Sequence, residues 1–128
     1  MTPCYALGDA KRLIRQPACQ MYDSNSVESV VKFFANKGKK SKSLTEAKNW
    51  MLKQFDALTI EDNFVEEKEI TFETGEKIKT DVYAIRADGE GWYIKFYIES
   101  NMCLMSFHPL DYDIRLASGE ILKKGSIV

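Results

Sequence analysis

Between Asp81 and His108 apolar and polar residues alternate, and the alternation predicts three consecutive strands. In the middle run Trp92, Ile94, Phe96 and Ile98 fall on one side, and Tyr93, Lys95, Tyr97 and Glu99 on the other. The first side calls for a core, the second for water or a ligand. Asp88-Gly89-Glu90-Gly91 supplies residues that tolerate positive φ, which predicts a hairpin, and Glu99-Ser100-Asn101 predicts a second turn. Beyond it Cys103, Met105 and Phe107 alternate with Leu104, Ser106 and His108. The expected unit is an antiparallel meander whose third strand lays its polar side beside Tyr93, Lys95 and Tyr97.

The first half of the chain carries a helical period instead. Leu7, Ala10, Leu13 and Ile14 form one stripe of a helix expected over Tyr5 to Arg15, which Pro17 ends. Asp23-Ser24-Asn25-Ser26 offers N-caps for a second helix carrying Val27, Val30, Val31 and Phe34, with Gly38 placed as its C′ glycine. The lysine-rich loop at 37–42 has nothing to bury and is expected to be mobile. Ser43 with Glu46 forms a capping-box pattern, and Ala47, Trp50, Met51, Phe55 and Leu58 make the buried stripe of a third helix. Thr59 and Asp62 start a short turn that Phe64 and Val65 seat on the core. After the acidic run Glu66-Glu67-Lys68-Glu69, residues Ile70 to Glu73 and Lys77 to Arg86 read as strands. Tyr112 to Leu116 and Glu120 to Lys124 predict a terminal hairpin about Ala117-Ser118-Gly119. Helices first and strands afterwards predict one α+β domain over residues 1–128, with N-terminal helices on a mainly antiparallel sheet and a C-terminal hairpin extension.

Composition narrows the classes. With 45% hydrophobic residues in 128 the chain has material for a core, yet no apolar run approaches the roughly 20 residues that span a bilayer. The amino terminus lacks the basic-then-apolar order of a secretory signal, so a cytoplasmic protein with no membrane partner is expected. Cys4, Cys19 and Cys103 are odd in number and far apart, which suggests reduced thiols rather than a disulfide framework or a metal-binding pair. Charge is uneven: from Lys32 to Lys53 lysines stand against Glu46 alone, whereas acids dominate from Asp56 to Glu90. That polarity suits an anionic partner at one end of the molecule, or simply solvated surfaces.

His108 is the single histidine, and no ligand spacing surrounds it, so no metal site is expected. Nor is there a nucleophile elbow, a phosphate-binding glycine loop or a dinucleotide fingerprint, and no cofactor is expected. What remains is the polar side of the meander. Tyr93, Lys95, Tyr97, Ser106 and His108 bring together a phenol, an ammonium, rings for stacking and an imidazole. Those groups suffice to hold single-stranded RNA and move a proton at a phosphodiester. A metal-free ribonuclease needs a base for the 2′-hydroxyl, an acid for the leaving oxygen and a cation for the phosphoryl charge. His108 fits base or acid, Lys95 the cation, and Tyr93 an acid or hydrogen-bond donor. Lys77, Lys79 and Arg86 would extend a phosphate-binding surface, although acids surround them. The same tyrosines and lysine also suit an ordinary solvent-facing sheet, where aromatic cross-strand pairs add stability.

Three segments in order, Asp81-Val82-Tyr83, Gly91 to Ile98 and Leu104 to His108, resemble the carboxy-terminal half of MqsR-type toxins, RelE-like messenger-RNA interferases of toxin–antitoxin systems. Pro3, Tyr5, Leu7 and Lys11 to Ile14 resemble the family's opening helix, and Leu58-Thr59 with Asp62 and Phe64 resembles its Leu-Ser-x-x-Asp-Phe-Tyr-Lys segment. The resemblance implies a RelE/MqsR-like fold, metal-independent endoribonuclease activity and a cognate antitoxin partner. It places the catalytic tyrosine at Tyr93 and a lysine of the same face at Lys95, with His108 standing where the family has a terminal catalytic lysine. Val65 and Glu66 replace the Tyr-Lys pair, which leaves Lys68 as the nearest base, and Thr80 replaces a glutamine. The alternative is a non-catalytic RNA- or protein-binding member of the same fold.

Overall fold

In the computed structural model, residues 2–21, 24–37 and 40–125 are described. They form α1 (Leu7–Leu13), β1 (Gln20–Met21), α2 (Ser24–Asn36), α3 (Leu44–Asp56), α4 (Ile60–Asn63), β2 (Phe64–Thr71), β3 (Lys77–Ala87), β4 (Glu90–Ile98), β5 (Met102–Pro109), β6 (Ile114–Arg115) and β7 (Ile121–Leu122). Strands run β1-β5-β4-β3-β2 across one sheet, antiparallel from β5 to β2, with β1 joining β5 in parallel. The fold is α+β. No helix among the described residues is long and apolar enough to cross a membrane.

The helical stripes bury as their spacing dictates. Ala10, Val30, Ala47, Met51 and Phe55 are fully buried against Ile94, Phe96, Leu104 and Phe107 of the sheet. Trp50 of α3 packs edge-on against Trp92 at 5.0 Å, and Phe33 of α2 meets the same ring at 4.9 Å. Ser43 and Glu46 complete the expected capping box at the start of α3. At its end Lys11 donates to the carbonyls of Asp56 and Leu58, placing a cation where unpaired helix carbonyls gather.

Several boundaries differ from the sequence reading. α1 starts at Leu7 rather than Tyr5 because the Cys4 and Tyr5 N–H groups donate, at 2.8 Å each, to the buried Asp81 carboxylate. The strand expected from Ile70 starts earlier, for the acidic run Glu66, Glu67, Lys68 and Glu69 belongs to β2, an outer strand whose two faces can carry charge in water. β1 was not foreseen. Asp23, Gly38 and Lys39, named as cap, C′ and loop residues, lie outside the described residues. The expected hairpin forms between β3 and β4 on a two-residue turn, with positive φ at Asp88 (52°) and Gly89 (76°), and Trp50 pins it by donating to Asp88 Oδ2 at 2.6 Å.

A second apolar cluster lies on the other face of the sheet. There Val65, Val82 and Ala84 pack with Leu110, Ile114 and Leu116 from the C-terminal segment. A bulge turns Val65 to this side, since Phe64 pairs with Tyr83 and Glu66 with Val82. Gly91 allows the close approach: a Cβ there would stand 2.6 Å from Leu110 Cδ1. The Arg86 guanidinium donates to the Lys123 and Gly125 carbonyls, and the Ala117 N–H donates to the Phe64 carbonyl, so both ends of the small β6–β7 hairpin are tied to the sheet.

Candidate functional site

β4 and β5 bring the polar residues together through their register. Tyr93 stands opposite His108, and Lys95 opposite Ser106. The Tyr93 and His108 rings stack at 5.2 Å between centroids with 17° between planes. Next in the ladder Phe96 pairs with Leu104, which leaves Met105 as an extra, unpaired residue. This bulge corrects the simple alternation expected for β5. Leu104 goes to the helix-bearing core and Cys103 comes round opposite Tyr97, while Ser106 and His108 stay beside Lys95 and Tyr93.

These four side chains line a cleft of about 190 Å³, closed on its far side by Leu110, Asp111 and Tyr112. The C-terminal segment therefore supplies a wall of the site. Its hairpin was foreseen, but its place against Tyr93 was not, because the contact depends on Gly91 admitting Leu110. Tyr112 is exposed to 63%, an open aromatic ring at the cleft mouth.

Partial burial shapes the chemistry of the lining. Burial pushes the Tyr93 phenol up to about 12, reinforced by the nearby Tyr112 and Glu66. The ring therefore stays protonated at neutral pH and can donate. Burial holds the Lys95 ammonium below its ordinary value, and the charge of Lys68 adds to that effect. His108 Nδ1 lies 2.7 Å from the Pro109 carbonyl oxygen. A carbonyl only accepts, so Nδ1 carries the proton of that bond, and in the neutral ring Nε2 is the acceptor.

No family model, curated protein or solved structure matches this chain.

The other sequence candidates scatter. Lys68 sits on exposed β2, on the same face and close enough to act on Lys95, but outside the cleft lining. Tyr97 is only 8% exposed and turns its ring edge to Phe72 at 6.4 Å, so it is packed rather than offered for stacking. Lys79 shares the parity of Asp81 and Tyr83, which points it to the helix-bearing side, where it pairs with Glu67 at 3.2 Å; Lys77 pairs with Glu69 at 3.9 Å. Arg86 is committed to the C-terminal carbonyls. Ser106 alone of the auxiliary set lines the cleft. Among the described residues no three histidine, cysteine, aspartate or glutamate side chains are grouped as a metal site.

Proposed function

We propose that the protein is a metal-independent endoribonuclease acting on single-stranded RNA, related to MqsR-type toxins. The observation that carries this reading is the stacked Tyr93–His108 pair beside Lys95 in one cleft. His108 Nε2 takes the proton of the 2′-hydroxyl as its oxygen attacks the adjacent phosphorus. Lys95 offsets the charge that grows on the phosphoryl oxygens, in a partly dehydrated setting where such an interaction is stronger than in water. Tyr93 stays protonated until about pH 12, yet a phenol is a stronger acid than a departing 5′-alkoxide. It protonates that oxygen as the phosphorus–oxygen bond breaks, leaving a 2′,3′-cyclic phosphate and a 5′-hydroxyl. Tyr112 offers an exposed ring on which a base stacks.

The same reading, through its family resemblance, implies a cytoplasmic toxin neutralised by a cognate antitoxin. Purified protein incubated with RNA in EDTA should cleave it, and Tyr93→Phe and His108→Ala should not. Undiminished cleavage by both variants, or none by any preparation, removes the reading. A non-catalytic RNA- or protein-binding protein of the same fold is the second reading. One observation favours it: Val65, at the position of a family tyrosine, is buried in the second apolar cluster and offers no chemistry. Binding of RNA without cleavage would select it.

A further inference from the structure

Another hollow, of about 250 Å³, adjoins the cleft on the far side of His108. Ser26, Glu28, Ser29 and Lys32 of α2 form one wall, and the other is shared with the cleft through Ser106 and His108. Among the described residues β1 pairs with β5 at Cys103 and Leu104, and from Met105 to His108 the residues of β5 share the hollow with α2. Lys32 is exposed and opens the lysine-rich stretch of the sequence. Serine hydroxyls and a cation lie on one side of the stacked pair, and Lys95 on the other.

We propose that the α2–β5 hollow is a second nucleotide subsite, so that single-stranded RNA crosses β5 over His108. The inference rests on the RNA reading above and extends it. The phosphate in the cleft beside Tyr93, Lys95 and His108 is the reacting one, and its neighbour lies at Lys32, with Ser26 and Ser29 as hydrogen-bonding partners for sugar or phosphate. This gives Lys32 a role that a single-phosphate site does not. Among the described residues that line the hollow Glu28 is the one acid, and its charge opposes a phosphate there.

Two probes separate subsite from catalysis: binding of a fluorescent 2′-O-methyl oligonucleotide of about ten nucleotides, which cannot react, and turnover of a dinucleotide with one phosphate. Lys32→Ala should weaken the long strand about 3- to 10-fold and flatten its log–log salt dependence by about 0.7, with a smaller effect on the dinucleotide. Glu28→Gln should tighten the long strand. Equal Lys32→Ala effects on both probes, or none on the long strand, overturn the subsite while leaving the cleavage reading intact. Lys32-dependent binding without any turnover keeps the subsite and removes the catalytic reading. Absence of binding overturns both.

Discussion

The two faces of the sheet are covered by different means. On the helix-bearing face Ile94, Phe96, Leu104 and Phe107 are fully buried under three amphipathic helices. On the opposite face the cover is a short C-terminal segment that seals Val82 and Ala84 with Leu110, Ile114 and Leu116, and stops beside Tyr93. Where it stops, a phenol and an ammonium are left half-buried, and both have shifted proton affinities. A complete cover makes stability, whereas an incomplete one leaves polar groups half-buried in a cleft.

The largest test of this contrast pairs one substitution from each face. Phe96→Ala should cost about 3–5 kcal/mol of stability, read by chemical denaturation, because it empties a close-packed site. His108→Ala should lower kcat/KM for RNA by about 10²- to 10⁴-fold with the denaturation midpoint unchanged. A His108 variant that unfolds as readily as the Phe96 variant would erase the distinction between the faces. Gly91→Ala comes next, at about 1–3 kcal/mol, since its Cβ meets Leu110 and lifts the wall of the cleft. Unchanged stability there would mean that the C-terminal segment is not seated as described. Smaller again is Tyr83→Phe: the Tyr83 hydroxyl is buried without a hydrogen-bond partner among the described residues, and removing it should raise stability by about 1 kcal/mol. The least effect concerns pH. Tyr93 has its folded value raised from 10 to about 12, so its contribution to stability is full below pH 10 and fades as pH climbs toward 12. Tyr93→Phe should make alkaline unfolding less steep in that window.

The sequence reading did well where period alone decides position. The stripes Val30–Phe34 and Ala47–Phe55, the Ser43–Glu46 box and the Asp88-Gly89 turn all depend on neighbours within a few residues, and each sits where its local pattern put it. Tyr93 and His108 face each other through the Met105 bulge: the turn pairs Ile98 with Met102, a register that would set Phe107 opposite Tyr93, and the extra residue shifts His108 into that place. Misreadings arose where distant segments compete for the same group. Asp81 draws the Cys4 and Tyr5 N–H groups out of α1, Glu67 takes Lys79, and the C-terminal carbonyls take Arg86. The Met105 bulge, which moves Cys103 and Leu104 to opposite faces from those expected, leaves no mark in an alternating pattern. Asp111 and Tyr112 entered the site unannounced because loop residues carry no periodicity.

The most direct trial of the account is mass spectrometry of a single-stranded RNA treated in EDTA with the wild-type protein and, in parallel, with His108→Ala. Fragments ending in 2′,3′-cyclic phosphate and starting in 5′-hydroxyl from the wild type, with intact RNA from the variant, are predicted. Fragments bearing 3′-hydroxyl and 5′-phosphate ends, or the same fragments from both proteins, would contradict it.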